Sequence, residues 1–481
     1  MPAGCLRTKS SNQSRKDKLF LETERSEDNA IFYLYLTVII LYLINIWIDV
    51  IWMDQLIGAL ALLIIACTVK KASSLYLWAG LVFFISGLIF YFISVPSTIS
   101  FFSLFGSMIS LLALVFVLPF MSTIISVGKY DRALGQLINR PPPLNMNRLY
   151  RRTSVMTYLL TLFLNVATVP VVVATVKERL VSLRDVVIQR FFAHSILRAY
   201  ALVLLWSPTE VLVASTIDLT GTNYLLLFPT LLTISILFIS FDWVLHHFQL
   251  KKIAVNMPVA VTEQSPFLYR KLIELGIAIV CFITVLLISN ELLAQSFLFT
   301  VTVLIIPFTF IWAAVIKKQK RFTLLSIAYV KGNTSQLHGL FFLFLAAGFF
   351  VEVFPYTILF EYMNSMFAHT YLHASLLWFY LLVALCVFSF ALIGFHPLIS
   401  IALISPFLSE AIAMHPYGMS ILLIGVGLST VMIGPFNITP TILAMQLKAN
   451  PYRIIRKNLL FALCYLFFIV GVAFLFSRAL N

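Results

Sequence analysis

Apolar runs of about 20 residues recur along the chain, separated by short polar or basic stretches, and a run of that length crosses the hydrocarbon core of a bilayer as a helix. The runs predict spanning helices near 31–51, 55–69, 75–95, 98–126, 188–221, 224–245, 271–290, 294–316, 339–360, 417–447 and 458–478. Two further apolar stretches, 153–178 and 374–411, hold polar residues and prolines at their centres. Counted as simple spans, they break the alternation of Lys and Arg from side to side. Read as re-entrant hairpins, they restore it.

With that reading the N-terminal tail, Lys70 and Lys71, the loop 127–152, the segment 177–190, Lys251 and Lys252, Arg270 and Lys271, the run 317–321 and the run 448–457 share one side. Of the 33 Lys and Arg residues only Arg478 falls opposite. Short loops rich in Lys and Arg face the cytoplasm, so the N-terminus is expected inside the cell membrane and the C-terminus outside. Residues 1–30 are polar and read as a cytoplasmic tail, since the first apolar run starts too late for a cleaved signal.

This topology is an inverted repeat. A helix in 31–54 precedes a first half over 55–250, with a hairpin near 153–178 and a broken helix near 188–221. A cytoplasmic linker, 251–270, leads to a second half over 271–481, with a hairpin near 374–411 and a broken helix near 417–447. The expected fold is therefore an all-α polytopic membrane protein with about 11 transmembrane helices and two re-entrant hairpins. Secondary transporters are often built from such halves, with the substrate held between broken elements near the midplane.

Four interruptions carry the candidate chemistry. The first hairpin turns at "LNVATVPVV", with Asn165, Thr168 and Pro170, and the second at "IGFHPLISIALISPF", with Gly394, His396, Pro397 and Ser400. The helices after them break at "WSPTEVLVASTIDLTG", with Ser207, Pro208, Thr209 and Glu210, and at "IGPFNITPTILAMQL", with Gly434, Pro435, Asn437, Thr439, Pro440 and Thr441. Proline removes a backbone donor and crowds the preceding turn. In lipid, freed backbone groups survive only inside protein or around a watery cavity. Half-helix N-termini suit an anion there, while exposed carbonyls, Asn oxygens and hydroxyls suit a small cation.

Composition narrows the class. The chain is 61% hydrophobic and 11% charged, with a mean hydropathy of +0.99, against about 25% charged residues in soluble domains. The net charge of +14 does not mark a nucleic-acid binder, because the basic residues lie in short loops. Cys67, Cys281, Cys386 and Cys464 lie singly in apolar runs, with no spacing for a metal or a disulfide framework, and are expected to pack in the core. Cys5 is a bare palmitoylation candidate. No His-Glu-x-x-His, Ser-Lys dyad or phosphate-binding Gly-x-x-x-x-Gly-Lys loop is present, so neither an enzyme nor a self-contained ATPase is expected.

The two opposed hairpins with polar tips, each followed by a broken helix, resemble the ion transporter superfamily, which includes divalent anion/sodium symporters and the large membrane subunits of TRAP transporters. The likeness runs from about Ile31 to Arg478. "LNVAT" retains Asn165 and Thr168 of the Ser-Asn-Thr tip, with Leu164 where Ser is expected, whereas "GFHPLIS" matches poorly. "SPTE" loosely, and "GPFNITPT" more closely, resemble the Thr-Pro and Pro-Asn pattern of the broken helices. The resemblance implies an elevator-type transporter, in which hairpins and broken helices move against a scaffold. It also implies a homodimer through scaffold helices.

Ionisable residues inside spans are functional hypotheses by default. Glu210 could ligand a cation, carry a coupling proton or meet a cationic substrate group; its structural alternative is to cap the second half-helix. Asp218 reads as interfacial, Arg198 as snorkelling to the cytoplasmic surface, and His246 and His247 as interfacial and not metal ligands. Glu352 fits either the pathway or a partner helix. His396 could couple protons or hydrogen-bond to its own tip.

The sequence therefore predicts a secondary active transporter of a small anionic solute, driven by Na⁺ or H⁺, with no other cofactor or metal. The predicted binding set is Asn165, Thr168, Ser207, Thr209, Glu210, His396, Ser400, Asn437, Thr439 and Thr441. Its partners are the lipid bilayer and the solute, with no nucleic acid. Two other readings stay open: a membrane subunit of a multi-component system, working with an extracytoplasmic binding protein, and a lipid or polyprenyl-type transporter, which the basic loop 140–152 could serve.

Overall fold

The computed structural model describes residues 6–139, 145–181, 183–250, 266–434 and 437–479. Cys5, Pro435 and residues 140–144 of the basic loop, together with most of the expected linker 251–270, lie outside them. Among the described residues every regular element is helical. In chain order these are α1 (Leu6–Ile48), α2 (Ile51–Thr68), α3 (Ser74–Ser94), α4 (Ile109–Gly128), α5 (Tyr130–Gly135), α6 (Met146–Leu164), α7 (Thr168–Val176) and α8 (Asp185–Phe192). There follow α9 (Ala199–Leu204), α10 (Val211–Thr220), α11 (Tyr224–Leu250), α12 (Pro266–Leu293), α13 (Phe297–Val315), α14 (Gln319–Gly332), α15 (Thr334–Val353) and α16 (Ile358–His373). The last are α17 (Leu376–Ile393), α18 (Pro397–Ile404), α19 (Ser409–Met414), α20 (Pro416–Val431), α21 (Ile438–Gln446), α22 (Pro451–Ile455) and α23 (Leu459–Ala479).

By length and composition, 13 segments among the described residues could cross a membrane. One of them, Met146–Leu180, is the whole first hairpin, and two, Leu376–Ile393 and Pro397–Met414, are arms of the second. The chain is a multi-pass membrane protein. The two hairpins fold as helix–turn–helix units, α6 against α7 and α17 against α18.

Several boundaries moved for local reasons. The first hairpin starts at Met146, ahead of its apolar stretch, because the Asn145 side chain caps the Arg148 amide at 2.8 Å. The ninth apolar run ends early, in a tight turn over Phe354–Tyr356 carrying Pro355, and α16 follows as a separate helix that the sequence reading did not anticipate. Helix α1 extends back through the polar segment to Leu6. The cysteines are also reassigned: Cys67, Cys281 and Cys464 are exposed and Cys386 is half-buried, so they lie on outward faces of their helices and not in the core. In lipid an outward apolar face carries no hydration penalty, so periodicity could not separate the two placements.

The chain divides into two compact units, one ending at Ala113 and resuming over Ile327–Thr357, the other comprising Leu114–Ser326 and Ile358 onward. In the first, α15 is largely buried among α1, α2 and α3. Tyr35 stacks on Phe341 at 3.9 Å and its hydroxyl meets His338 Nδ1 at 2.8 Å. Asp28 joins His338 Nε2 at 3.1 Å and Lys71 at 2.7 Å, so the polar end of this core is paired. Glu352 in α15 neighbours Ser107 of the same unit. The second unit holds both hairpins and both interrupted helices.

Candidate functional site

The first interruption separates α9 from α10 at residues 205–210. Breaking a helix frees carbonyls that would be costly inside a membrane protein, and side chains take them up. Tyr224 Oη donates to the Trp206 carbonyl at 2.5 Å and Ser235 Oγ to the Leu202 carbonyl at 2.7 Å. A side-chain chain closes the ring: Trp206 Nε1 donates to Tyr158 Oη at 2.6 Å, which meets Ser235 Oγ at 2.6 Å. Within the break, Ser207 Oγ and Thr209 Oγ1 lie 3.1 Å apart and both residues are buried.

Glu210 has extended backbone immediately before α10, the position from which a carboxylate caps a helix. Its side chain makes no regular capping bond, although the Leu212 amide lies beside it. The carboxyl also lies within electrostatic range of the buried Tyr200 hydroxyl. Tyr200 donates to Asn165 Oδ1, at the tip of the first hairpin, and Thr439 of α21 neighbours the same hydroxyl. One tyrosine on α9 thus gathers the first hairpin tip and both interrupted helices.

Asn165 holds a backbone conformation at φ 46° and ψ −125°, which side-chain-bearing residues rarely adopt; such strain, about 1–3 kcal/mol, persists only where the surroundings impose it. Three residues on, the Thr168 hydroxyl is fully buried and finds no hydrogen-bond partner among the described residues.

The second interruption separates α20 from α21. Asn437 precedes α21 but does not cap it; its Nδ2 reaches back to the Thr430 carbonyl at 2.8 Å. That carbonyl also accepts from the Gly434 amide at 2.7 Å. A Cβ on Gly434 would lie 2.5 Å from Asn437 Nδ2, so the close approach needs glycine. Thr439 is buried, and Thr441 Oγ1 donates to the Asn437 carbonyl at 2.9 Å.

At the second hairpin tip Gly394 takes φ 122°. His396 caps α18, its Nδ1 accepting from the Leu398 amide at 3.3 Å, so part of its role is the local one foreseen for the tip. Ser400 is buried and donates to the His396 carbonyl at 3.3 Å. Helix α18 packs on α20: Gly427 faces both Ile401 of α18 and Leu212 of α10. The structure therefore groups Asn165, Glu210 and Thr439 around Tyr200, while His396 and Ser400 belong to the α18–α20 side of the same unit.

One expectation is corrected, and two residues gain partners that the sequence did not supply. Arg198 does not snorkel; it is buried, with Nη1 2.6 Å from Asp242 Oδ1, Nε 2.9 Å from Asn458 Oδ1, and its guanidinium 4.3 Å from the Phe461 ring. His246, near the end of its span, is buried against other residues, its ring stacked on Tyr150 at 4.0 Å and its Nε2 2.8 Å from His194 Nδ1. Asp218, read as interfacial, is exposed near the end of α10 and has a defined local role. It caps α13, accepting from the Phe297 amide at 2.6 Å and the Leu298 amide at 3.0 Å, while Ser296 takes the Phe299 amide.

Sequence reasoning missed Tyr200 and Asp242. Asp242 also accepts from Tyr150 Oη at 2.6 Å, and its position inside an apolar run was a signal. Tyr200 carried none, being one aromatic among many in a greasy stretch. The charged network sits where the chain forms a π-helical turn over Ala193–Arg198, whose Ala193 carbonyl accepts from Asn458 Nδ2 at 3.0 Å. Such turns are frequent at functional sites. Among the described residues no group of three or more His, Cys, Asp and Glu could hold a metal.

The structure is similar to that of the YdaH transporter of Alcanivorax borkumensis, whose crystal structure is described as revealing an unusual topology. The TM-score is 0.53 at 15% identity, with 83% of this chain and 97% of that one covered. The likeness is one of fold. No family model and no curated protein matches the sequence.

Proposed function

We propose that this protein is a secondary active transporter of a small anionic solute, driven by Na⁺ or H⁺. The observation that carries the reading is the gathering of a strained hairpin tip and two helix breaks at Tyr200, beside a carboxyl and a buried hydroxyl that has no partner among the described residues. Broken helices facing one another supply the amide and carbonyl ends that bind a solute and its coupling ion. In this reading the binding set is Asn165, Thr168, Ser207, Thr209, Glu210, His396, Ser400, Asn437, Thr439 and Thr441, with Tyr200 positioning Asn165. Glu210 carries either the coupling ion or the coupling proton.

Transport by an elevator motion is supported by the division of the chain, since all four interrupted elements belong to one unit and none to the other. The order of elements supports the inverted halves: three spans, a hairpin, a broken helix and a span occur twice after α1, with α14 and α16 as additions to the second half.

The test is uptake by liposomes containing the full chain, with a panel of mono- and dicarboxylates and inorganic anions under imposed Na⁺ and H⁺ gradients. One gradient should drive accumulation of one anion class, and Asn165→Ala and Asn437→Ala should each lower it by at least about tenfold, equivalent to 1.4 kcal/mol, without loss of folded protein. Inactivity of the wild type across the panel would move the assignment to a subunit of a larger system or to a lipid transporter.

A further inference from the structure

Away from the interrupted helices, α12 and α13 enclose a cavity of about 700 Å³ with two unlike ends. At one end stand Arg270, Lys271, Lys317 and Lys318, with Glu274 the one carboxylate in the lining among the described residues. Glu274 is already engaged: Arg270 Nε lies 2.9 Å and Lys271 Nζ 2.6 Å from its two oxygens, and Tyr130 Oη donates to it at 3.1 Å. Lys318 Nζ donates to the Val127 carbonyl at 2.9 Å, and Glu274 offsets only part of the positive charge around it. Burial, and after it the charges of Lys129, Lys271 and Arg321, hold the Lys318 ammonium below its ordinary pKa, as surplus positive potential requires.

The other end is hydrocarbon, lined by Ile277, Ala278, Cys281, Phe308 and Ile311, with Val315 apolar beside the cations. Ile277, Ile311 and Val315 are strongly exposed, at 58%, 63% and 74%. In a helix pair that spans a bilayer, such faces meet acyl chains. Trp312 and Tyr130 lie between the two ends, Trp312 Nε1 donating to Tyr130 Oη at 3.1 Å. Amphipathic rings favour that level, where hydrocarbon gives way to head groups.

We propose that this cavity binds one anionic phospholipid, its phosphate against Lys317 and Lys318 and an acyl chain along Ile277, Phe308 and Ile311. Charge complementarity selects the head group, since basic pockets between spanning helices hold acidic lipids. The apolar end selects a lipid over a free anion, which would leave that end unfilled. Binding ties α12 to α13 at the loop of Ile316–Lys318.

The test is native mass spectrometry of the full chain released from mixed micelles of phosphatidylglycerol and phosphatidylcholine. One phosphatidylglycerol should be retained per chain with a preference of at least about tenfold, or 1.4 kcal/mol. Lys317→Gln with Lys318→Gln should bring the preference to parity. Ala278→Trp, which fills the apolar end and keeps every cation, should abolish retention of either lipid, and millimolar inorganic phosphate should not displace the lipid from the wild type. Equal retention of the two lipids by the wild type, full retention by Ala278→Trp, or displacement by phosphate would each overturn the proposal. Because no arm measures transport, these results are independent of the solute assignment.

Discussion

Arg198 and Asp242 show how a charge pair survives inside an apolar protein. Both are almost wholly buried at 2.6 Å, and the remaining donors and acceptors are matched by Tyr150, Asn458 and the Lys457 carbonyl. Removing one partner of such a pair strands the other and costs about 3–5 kcal/mol, whereas replacing both by apolar groups is often close to neutral. Arg198→Met is therefore expected to lower the unfolding temperature in detergent far more than Arg198→Met combined with Asp242→Leu. If the double variant is as unstable as the sum of the single ones, the two charges are not acting as a pair. This network was only half legible. Arg198 was visible as a charge in a span, but its rescue depends on Asp242 and Asn458, 44 and 260 residues away in the chain, and no local pattern reports such a meeting. The same holds for Asn165, whose polarity was readable and whose anchor, Tyr200, was not.

Helical elements were legible mainly where their punctuation was chemical. Prolines and polar residues inside two apolar stretches pointed to both hairpins, and the breaks fell at Pro208 and between α20 and α21. Two elements were missed: α16, because Pro355 was read as lying inside a span over 339–360, and the π-helical turn, which left no trace in composition. Two substitutions test what holds these elements. Gly434→Ala places a methyl 2.5 Å from Asn437 Nδ2 and should push that side chain off the Thr430 carbonyl, so that gradient-driven uptake falls while thermal stability changes little. Asp218→Ala leaves the first two amides of α13 without their acceptor. Loss of a cap costs about 0.5–2 kcal/mol, so its mark should be a lower unfolding temperature with uptake per folded molecule retained. The reverse pattern in the two variants would exchange their roles, making Asp218 the functional residue and Gly434 the structural one.

At the scale of the whole chain, hydropathy alone overcounts the spans, because a hairpin of two short helices is as long and apolar as one crossing. The proposed topology rests on Lys and Arg: read with two hairpins the basic loops gather on one side, and the hairpins would then open in opposite directions. The ends of both hairpins offer exposed positions to check this, Glu178 just after α7 and Ser375 just before α17. In a variant lacking the native cysteines, Ser375→Cys should react in intact cells with a membrane-impermeant maleimide. Glu178→Cys should react only after the membrane is opened. Since positive charge near spans sets orientation through the short loops, Gln319→Cys beside the run 317–321 should follow Glu178→Cys, and Asn223→Cys between α10 and α11 should follow Ser375→Cys. Labelling of Glu178→Cys and Ser375→Cys from the same side would remove the opposed hairpins, and with them the inverted halves on which an elevator motion about one central site depends.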